Sequence, residues 1–137
     1  MDKPLKSKEK KVILAIETSC DETALCVLEA SGMAEKPKFK ILANEIASQI
    51  EMHREYGGVF PAIAKREHQI ALPELLEKIL KKLKVKNNKP NFDLIAVTVG
   101  PGLEPALWVG ITFAKALAEV WYLPLIPVNH MEGHLVS

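Results

Sequence analysis

Val12-Ile13-Leu14-Ala15-Ile16-Glu17-Thr18-Ser19-Cys20-Asp21-Glu22-Thr23-Ala24-Leu25-Cys26-Val27-Leu28-Glu29 decides the fold of this chain. Val12 to Ile16 is a short apolar run of the kind that makes a buried strand. Glu17 to Glu22 is polar and turn-forming, and Thr23 to Glu29 returns as a second strand. Two strands joined by a short polar turn predict a hairpin. Ser31 to Lys38 reads as a further turn, and Phe39 to Glu45 as a third strand.

Working outward, Glu51 to Phe60 reads as a loop broken at Gly57-Gly58. Pro61 can open a helix at its first turn. Ile63, Ala64, His68, Ala71, Leu72, Leu75, Leu76, Ile79, Leu80 and Leu83 then recur at helical spacing. Pro73 lies inside that run and is expected to kink or split it. Phe92 to Val99 is a fourth strand, broken by Gly100-Pro101-Gly102. Residues 103–120 follow as a helix with Leu107, Gly110, Ile111, Ala114, Leu117, Ala118 and Trp121 on one face. Leu125 to Val128 is a fifth strand. The order β-β-β-α-β-α-β predicts an α/β fold whose mixed sheet has a meander on one side and parallel units on the other. That is the ribonuclease-H-like order, and it is also half of a member of the actin, heat-shock protein and sugar kinase (ASKHA) superfamily.

The 137 residues suffice for one compact domain and not two. A net charge of +1 supplies no global basic field for a nucleic-acid partner. Lys3, Lys6, Lys8, Lys10 and Lys11 mark residues 1–10 as a flexible basic tail, leaving 11–137 as the folded lobe. Cys20 and Cys26 make no C-x-x-C pair and no disulfide framework, which points to a reducing cytoplasm. The N-terminal stretch lacks the apolar core of a signal peptide, and no apolar run reaches the ~18 residues of a membrane span.

Three places carry chemistry. The first hairpin turn holds Glu17, Thr18, Ser19, Asp21, Glu22 and Thr23. Its hydroxyls and amides can wrap a phosphate and its carboxylates can hold a cation or polarise a nucleophile; it can equally be an ordinary polar turn. Gly100-Pro101-Gly102-Leu103 joins a strand's carboxyl end to a helix start, where ligands bind in open α/β sheets, or is a tight turn and nothing more. Asn129-His130-Met131-Glu132-Gly133-His134 places two histidines four residues apart. With Asn129 as a cap, both imidazoles share one helix face, as a bidentate metal clip requires, or as two surface histidines would. The spacing differs from H-E-x-x-H, because Met131 holds the general-base position and Glu132 lies about 200° around the helix. His53 and His68 read as structural or exposed. Cys20 reads as a small turn residue, and Trp108 and Trp121 as core or lobe-interface residues.

Several segments together resemble the TsaD family, also called the Kae, Qri or Gcp family. They are Ile16 to Thr23, Ser48 to His53, Tyr56-Gly57-Gly58-Val59 with Pro61, Ala64, Arg66 and His68, Gly100 to Leu103 with Leu107 and Val109-Gly110, Phe113 to Ala118, and Val128-Asn129-His130 with Glu132-Gly133-His134. The resemblance runs over residues 12–137. It implies one lobe of a tRNA threonylcarbamoyl transferase, which moves a threonylcarbamoyl group from its adenylate onto the exocyclic amine of an adenosine beside the anticodon. It also implies a divalent metal, iron or zinc, on His130 and His134, with a third ligand in a C-terminal lobe. ATP or threonylcarbamoyl adenylate is the implied nucleotide. Its phosphate side would meet Ser19, Cys20, Thr23, Gly100 and Gly102, and Glu17 or Asp21 would orient the attacking amine or a water. Implied partners are tRNA, with Lys65 and Arg66 as backbone contacts, and either a paralogous dimerising subunit with a small ATPase or other small subunits. A homodimer through an apolar face around Trp108 is a further expectation.

The sequence departs from the family's pattern at Pro105, usually glycine, and Ala62, usually glutamate. Two other readings compete: a non-catalytic dimerising lobe, which would not need the histidine pair, and a metalloprotease, which lacks its base at Met131.

Overall fold

The structure is a computed structural model that describes residues 9–33, 35–55, 57–58, 60–86 and 90–131. Its elements in chain order are β1 (Lys11–Glu17), β2 (Glu22–Met33), β3 (Lys36–Ser48), α1 (Ile50–Arg54), α2 (Pro61–Lys82), β4 (Leu94–Gly100), α3 (Glu104–Trp121) and β5 (Leu125–Asn129). One five-stranded sheet has the order β3-β2-β1-β4-β5. β1, β2 and β3 pair antiparallel, and β1, β4 and β5 pair parallel. This is the mixed ribonuclease-H-like sheet expected from the sequence.

Alternation fixes which face is buried. Leu14 and Ile16 of β1, Leu25 and Val27 of β2, and Ile95 and Val97 of β4 point to one side and are nearly or fully buried. α2 covers them with Ala64, Leu72, Leu75 and Ile79, and α3 with Ala106, Leu107, Val109 and Ala114. Both helices lie on this face because both crossovers, β3 to β4 and β4 to β5, run the same way along the sheet, and right-handed crossovers then land on the same side. Phe92 and Trp121 close the base of the core edge to face, with ring centroids 5.8 Å apart.

Three local expectations are corrected. The turn at 31–38 is instead strand: β2 runs to Met33 and β3 starts at Lys36. Gly32 makes this possible, since at φ 86° a side chain would be strained and a Cβ would meet the Lys36 carbonyl oxygen at 2.7 Å. The lysines and Pro37 that suggest a loop are tolerated because β3 is an edge strand. The loop at 51–60 contains α1, a single turn at Ile50–Arg54. α2 is not split at Pro73, which sits on its exposed side, where solvent can serve the carbonyl that loses its partner. Of the two places read for Trp108, core or lobe interface, exposure excludes the core: it is 53% exposed on α3, with the Lys115 ammonium 6.0 Å from its ring centroid. Most of the basic tail lies outside the described residues; Lys10, at its end, pairs with Glu29 at 3.5 Å.

Candidate functional site

The site lies where the carboxyl ends of β1, β4 and β5 converge. Glu17 ends β1, Thr98 is near the end of β4, and His130 follows β5 directly. Glu17 ties them together. Its Oε1 accepts the Ser19 amide at 2.6 Å, and its Oε2 accepts the Thr98 hydroxyl at 2.6 Å. Oε2 also lies 3.1 Å from His130 Nδ1. Burial alone would raise the Glu17 pKa, but the hydrogen bonds from Ser19, Thr98 and His130 outweigh it and hold the carboxyl below its ordinary value. Glu17 is therefore a carboxylate at neutral pH with both oxygens engaged.

That carboxylate sets the state of His130. It can only accept, so Nδ1 carries a proton and Nε2 is the nitrogen that could serve as a ligand. Ser19 Oγ is 3.3 Å from the same Nδ1–H. A carboxylate on one imidazole nitrogen that orients the other toward a metal is the usual outer support of metal-binding histidines. The chemistry of the donor set thus fits a metal at His130. His134 lies outside the described residues. Among the described residues no group of three or more His, Cys, Asp or Glu could hold a metal by itself.

The first hairpin turn and the β4–α3 turn interlock. The Leu103 amide donates to the Ser19 carbonyl at 2.8 Å. A Cβ on Gly102 would approach that same carbonyl oxygen to 2.6 Å, so only glycine allows the approach. One step deeper, the buried Thr18 hydroxyl donates to the Ala106 carbonyl at 2.8 Å, and a Cβ on Gly110 would land on Thr18 Oγ1. Pro105 sits in the first turn of α3, where a missing amide is tolerated.

The predicted site residues fall into three groups. Glu17, Ser19, Gly102 and His130 come together, with Gly100 at the end of β4 beside them. Cys20 is exposed on the turn; burial, and then the charge of Asp21, push its thiol up, so it is no thiolate nucleophile. Asp21 is half-buried on the same turn. Thr23 does not face the cleft: it is fully buried and its hydroxyl is 2.7 Å from His68 Nδ1. Two amides expected to serve a phosphate, those of Ser19 and Leu103, bond within the protein instead. Lys65 lines a groove between α2 and α3, and Arg66 is exposed and 3.7 Å from Glu67. Thr98 was missed in the sequence, although a hydroxyl inside an apolar strand was a readable signal.

A mixed sheet in this order, with polar groups gathered at the carboxyl ends of its parallel strands, defines a ribonuclease-H-like α/β lobe. Its fold is similar to that of YeaZ from Pseudomonas aeruginosa, with a TM-score of 0.56 at 18% identity over 87% of this chain and 44% of that one. The protein belongs to the TsaD family, tRNA N6-adenosine threonylcarbamoyltransferase, whose pattern matches residues 40–137. Curated relatives of that name are 47% identical over 125 residues in Anaeromyxobacter sp. (strain Fw109-5) and 45% identical over 131 residues in Enterococcus faecalis. These matches cover 91% and 96% of this chain and 35% of each relative. The chain spans about a third of the length of the relatives it matches. No helix among the described residues is long and apolar enough to cross a membrane.

Proposed function

We propose that this chain is the N-terminal lobe of an enzyme that transfers a threonylcarbamoyl group from threonylcarbamoyl adenylate to the exocyclic amine of an adenosine next to the tRNA anticodon. The observation that carries the reading is the Glu17–Ser19–His130 cluster, held at the carboxyl ends of the strands in a chain of the TsaD family.

His130, together with His134, would hold one divalent metal, iron or zinc. When bound, the metal supplies a Lewis acid for the oxygens of the threonylcarbamoyl or phosphate group. The protein's own contribution is positioning. Glu17 fixes the His130 tautomer and ring direction while anchoring the Ser19 amide. Its lowered pKa makes it a weak proton acceptor, which favours this orienting role over general-base work. Asp21, half-buried on the neighbouring turn, is the better candidate to orient the attacking amine or a water. The adenylate's phosphate side would lie along Ser19, Cys20, Gly100 and Gly102. Thr23 supports that turn from beneath.

Lys65 and Arg66, at the start of α2, are proposed contacts for the tRNA backbone. The enzyme would act in the cytoplasm with its tRNA and with a paralogous dimerising subunit and small ATPase, or with other small subunits. The groove between α2 and α3, about 630 Å³ and lined by Leu72, Trp108, Val109 and Phe113, is the proposed association face, for such a subunit or for a second copy.

Because the relatives are about three times as long, the isolated chain is expected to be inactive. Purified chain incubated with threonylcarbamoyl adenylate, zinc or iron, and tRNA should leave the nucleoside unmodified. Robust turnover by the chain alone would overturn the one-lobe reading.

A further inference from the structure

Beneath the site runs a buried chain of hydrogen bonds that the proposed chemistry does not use. The Phe60 amide lies 3.2 Å from His53 Nδ1 and donates to it. A backbone N–H can only donate, so His53 Nδ1 is the acceptor and Nε2 carries the proton. Nε2–H donates to Gln49 Oε1 at 2.7 Å. This fixes the Gln49 amide: its nitrogen faces the Ala64 carbonyl at 3.5 Å and His68 Nδ1 at 3.4 Å. At the far end His68 Nε2 is 2.9 Å from the Cys20 carbonyl, which can only accept. His68 therefore carries its proton on Nε2, and its Nδ1 receives the Thr23 hydroxyl at 2.7 Å. One assignment of protons fits these links, with the single lone pair of His68 Nδ1 taken mainly by the short bond from Thr23 and only shared with the longer one from Gln49. The links from Phe60 through His53, Gln49 and His68 run toward Cys20.

The chain is sealed. Thr23 and His68 are fully buried and Gln49 and His53 nearly so, and among the described residues no buried side-chain nitrogen or oxygen lacks a partner. Burial pushes the His68 imidazolium down, which suits the neutral form. The groups whose charges reach it are Glu17 and Asp21, which favour protonation, and His53, which opposes it. Protonation would put a donor on Nδ1 against the Gln49 amide nitrogen, so the geometry itself resists charge on this ring. The Gln49 backbone N–H donates to the Asp21 carbonyl at 2.8 Å, giving the turn a second tie to the segment that carries this network.

We infer that His68 is a positioning residue: through the Cys20 carbonyl it holds the Ser19–Asp21 turn, and with it the Glu17–Ser19–His130 cluster, in register with the start of α2 and with the loop end at Phe60. That this cluster serves threonylcarbamoyl transfer rests on the proposed function; the positioning does not. The turn has few other internal anchors, because Cys20 is exposed and Ser19 is held by the amide bond to Glu17 and the carbonyl bond from Leu103. A lost tie at Cys20 is felt first by those two bonds.

The test is made on the chain itself. Nitrogen-15 spectra of the imidazoles at neutral pH should show His68 as the neutral Nε2–H form; an Nδ1–H or charged ring overturns the inference with no variant needed. Amide hydrogen exchange then reads the turn. In His68→Leu, protection of the Ser19 and Leu103 amides should fall roughly tenfold, as suits one lost buried hydrogen bond, while Leu14 and Ile95 in the sheet keep theirs. His68→Gln keeps a donor for the Cys20 carbonyl and should restore protection at Ser19 and Leu103. If the ring only fills space, the apolar leucine should do at least as well as glutamine, and that order of protection refutes the positioning role. Should His68→Leu not fold, Thr23→Val removes the other donor at nearly constant volume and should weaken the same two amides; unchanged protection there counts against the inference. None of these readouts depends on turnover, so an inactive transferase and a failed positioning role are told apart.

Discussion

Gly110→Ala is expected to destabilise the protein, against the ordinary tendency of alanine to strengthen a helix. Gly110 lies in the middle of α3, where alanine is worth about 1 kcal/mol over glycine. Here the new Cβ would land on Thr18 Oγ1 and lie 3.3 Å from Thr18 Cγ2. Thr18 has nowhere to go, being fully buried with its hydroxyl on the Ala106 carbonyl. Overpacking at such a point costs about 1–3 kcal/mol. Stranding the Thr18 hydroxyl costs a further ~1–3 kcal/mol. After the helix gain, a net loss of about 3 kcal/mol remains, which lowers the melting temperature of a domain this size by about 10 °C. Calorimetry or a chemical-denaturation midpoint would measure it. The cause is checked by Thr18→Ala, which removes the obstructing atoms: the Gly110→Ala/Thr18→Ala double variant should be no less stable than Thr18→Ala alone. A melting temperature that stays level or rises in Gly110→Ala, or costs that simply add in the double variant, would refute the reasoning.

Acid should act through two groups. His68 has a folded pKa below its unfolded value, so the unfolded chain binds the extra proton and stability falls as pH drops below about 6.5. Glu17 has a lowered pKa too, so its contribution is present above the ordinary carboxylate range and is lost as pH falls through the folded value. Urea midpoints measured against pH should therefore decline from mildly acidic pH downward. Glu17→Gln should flatten the lower part of that curve, and a curve identical to the unsubstituted protein's counts against Glu17 being a held carboxylate. Zinc titrated into the chain should bind more weakly in His130→Ala than in the unsubstituted protein, and more weakly for both at acid pH, where protonated imidazole is no ligand; equal affinity would place the metal elsewhere. Trp108→Glu should abolish self-association seen by sedimentation equilibrium, because it puts a charge on the apolar groove between α2 and α3. An unsubstituted protein that stays monomeric at micromolar concentrations would leave Trp108 as local packing under Lys115.

The strand order was legible because it rests on patterns that survive without tertiary context. The alternation in β1 and β2, the apolar run of β4 and the helical spacing in α2 each report a buried face. His68 stood at a core position of that spacing, and burial followed. What could not be read was set by distant partners. Whether Ser31 to Lys38 pairs or turns depends on a glycine meeting a carbonyl across the hairpin, not on local propensity. Thr23 looked like a phosphate contact because its neighbours are polar, yet strand alternation turns it inward onto His68. The convergence of Glu17, Thr98 and His130 is a product of parallel pairing among β1, β4 and β5. These residues lie 81 and 113 positions apart for the two contacts of Glu17, which no local pattern encodes.

The central claim is that this lobe supplies the Glu17–Ser19–His130 half of a threonylcarbamoyl transferase site. It is tested most directly by exchange. Residues 12–137 would replace the matching third of the 45%-identical Enterococcus faecalis relative, and threonylcarbamoyladenosine in tRNA would be measured by nucleoside mass spectrometry in cells lacking their own transferase. The account predicts that the chimera makes the modified nucleoside and that the same chimera carrying His130→Ala does not. A folded chimera that leaves tRNA unmodified, or a His130→Ala chimera as active as its parent, would contradict it.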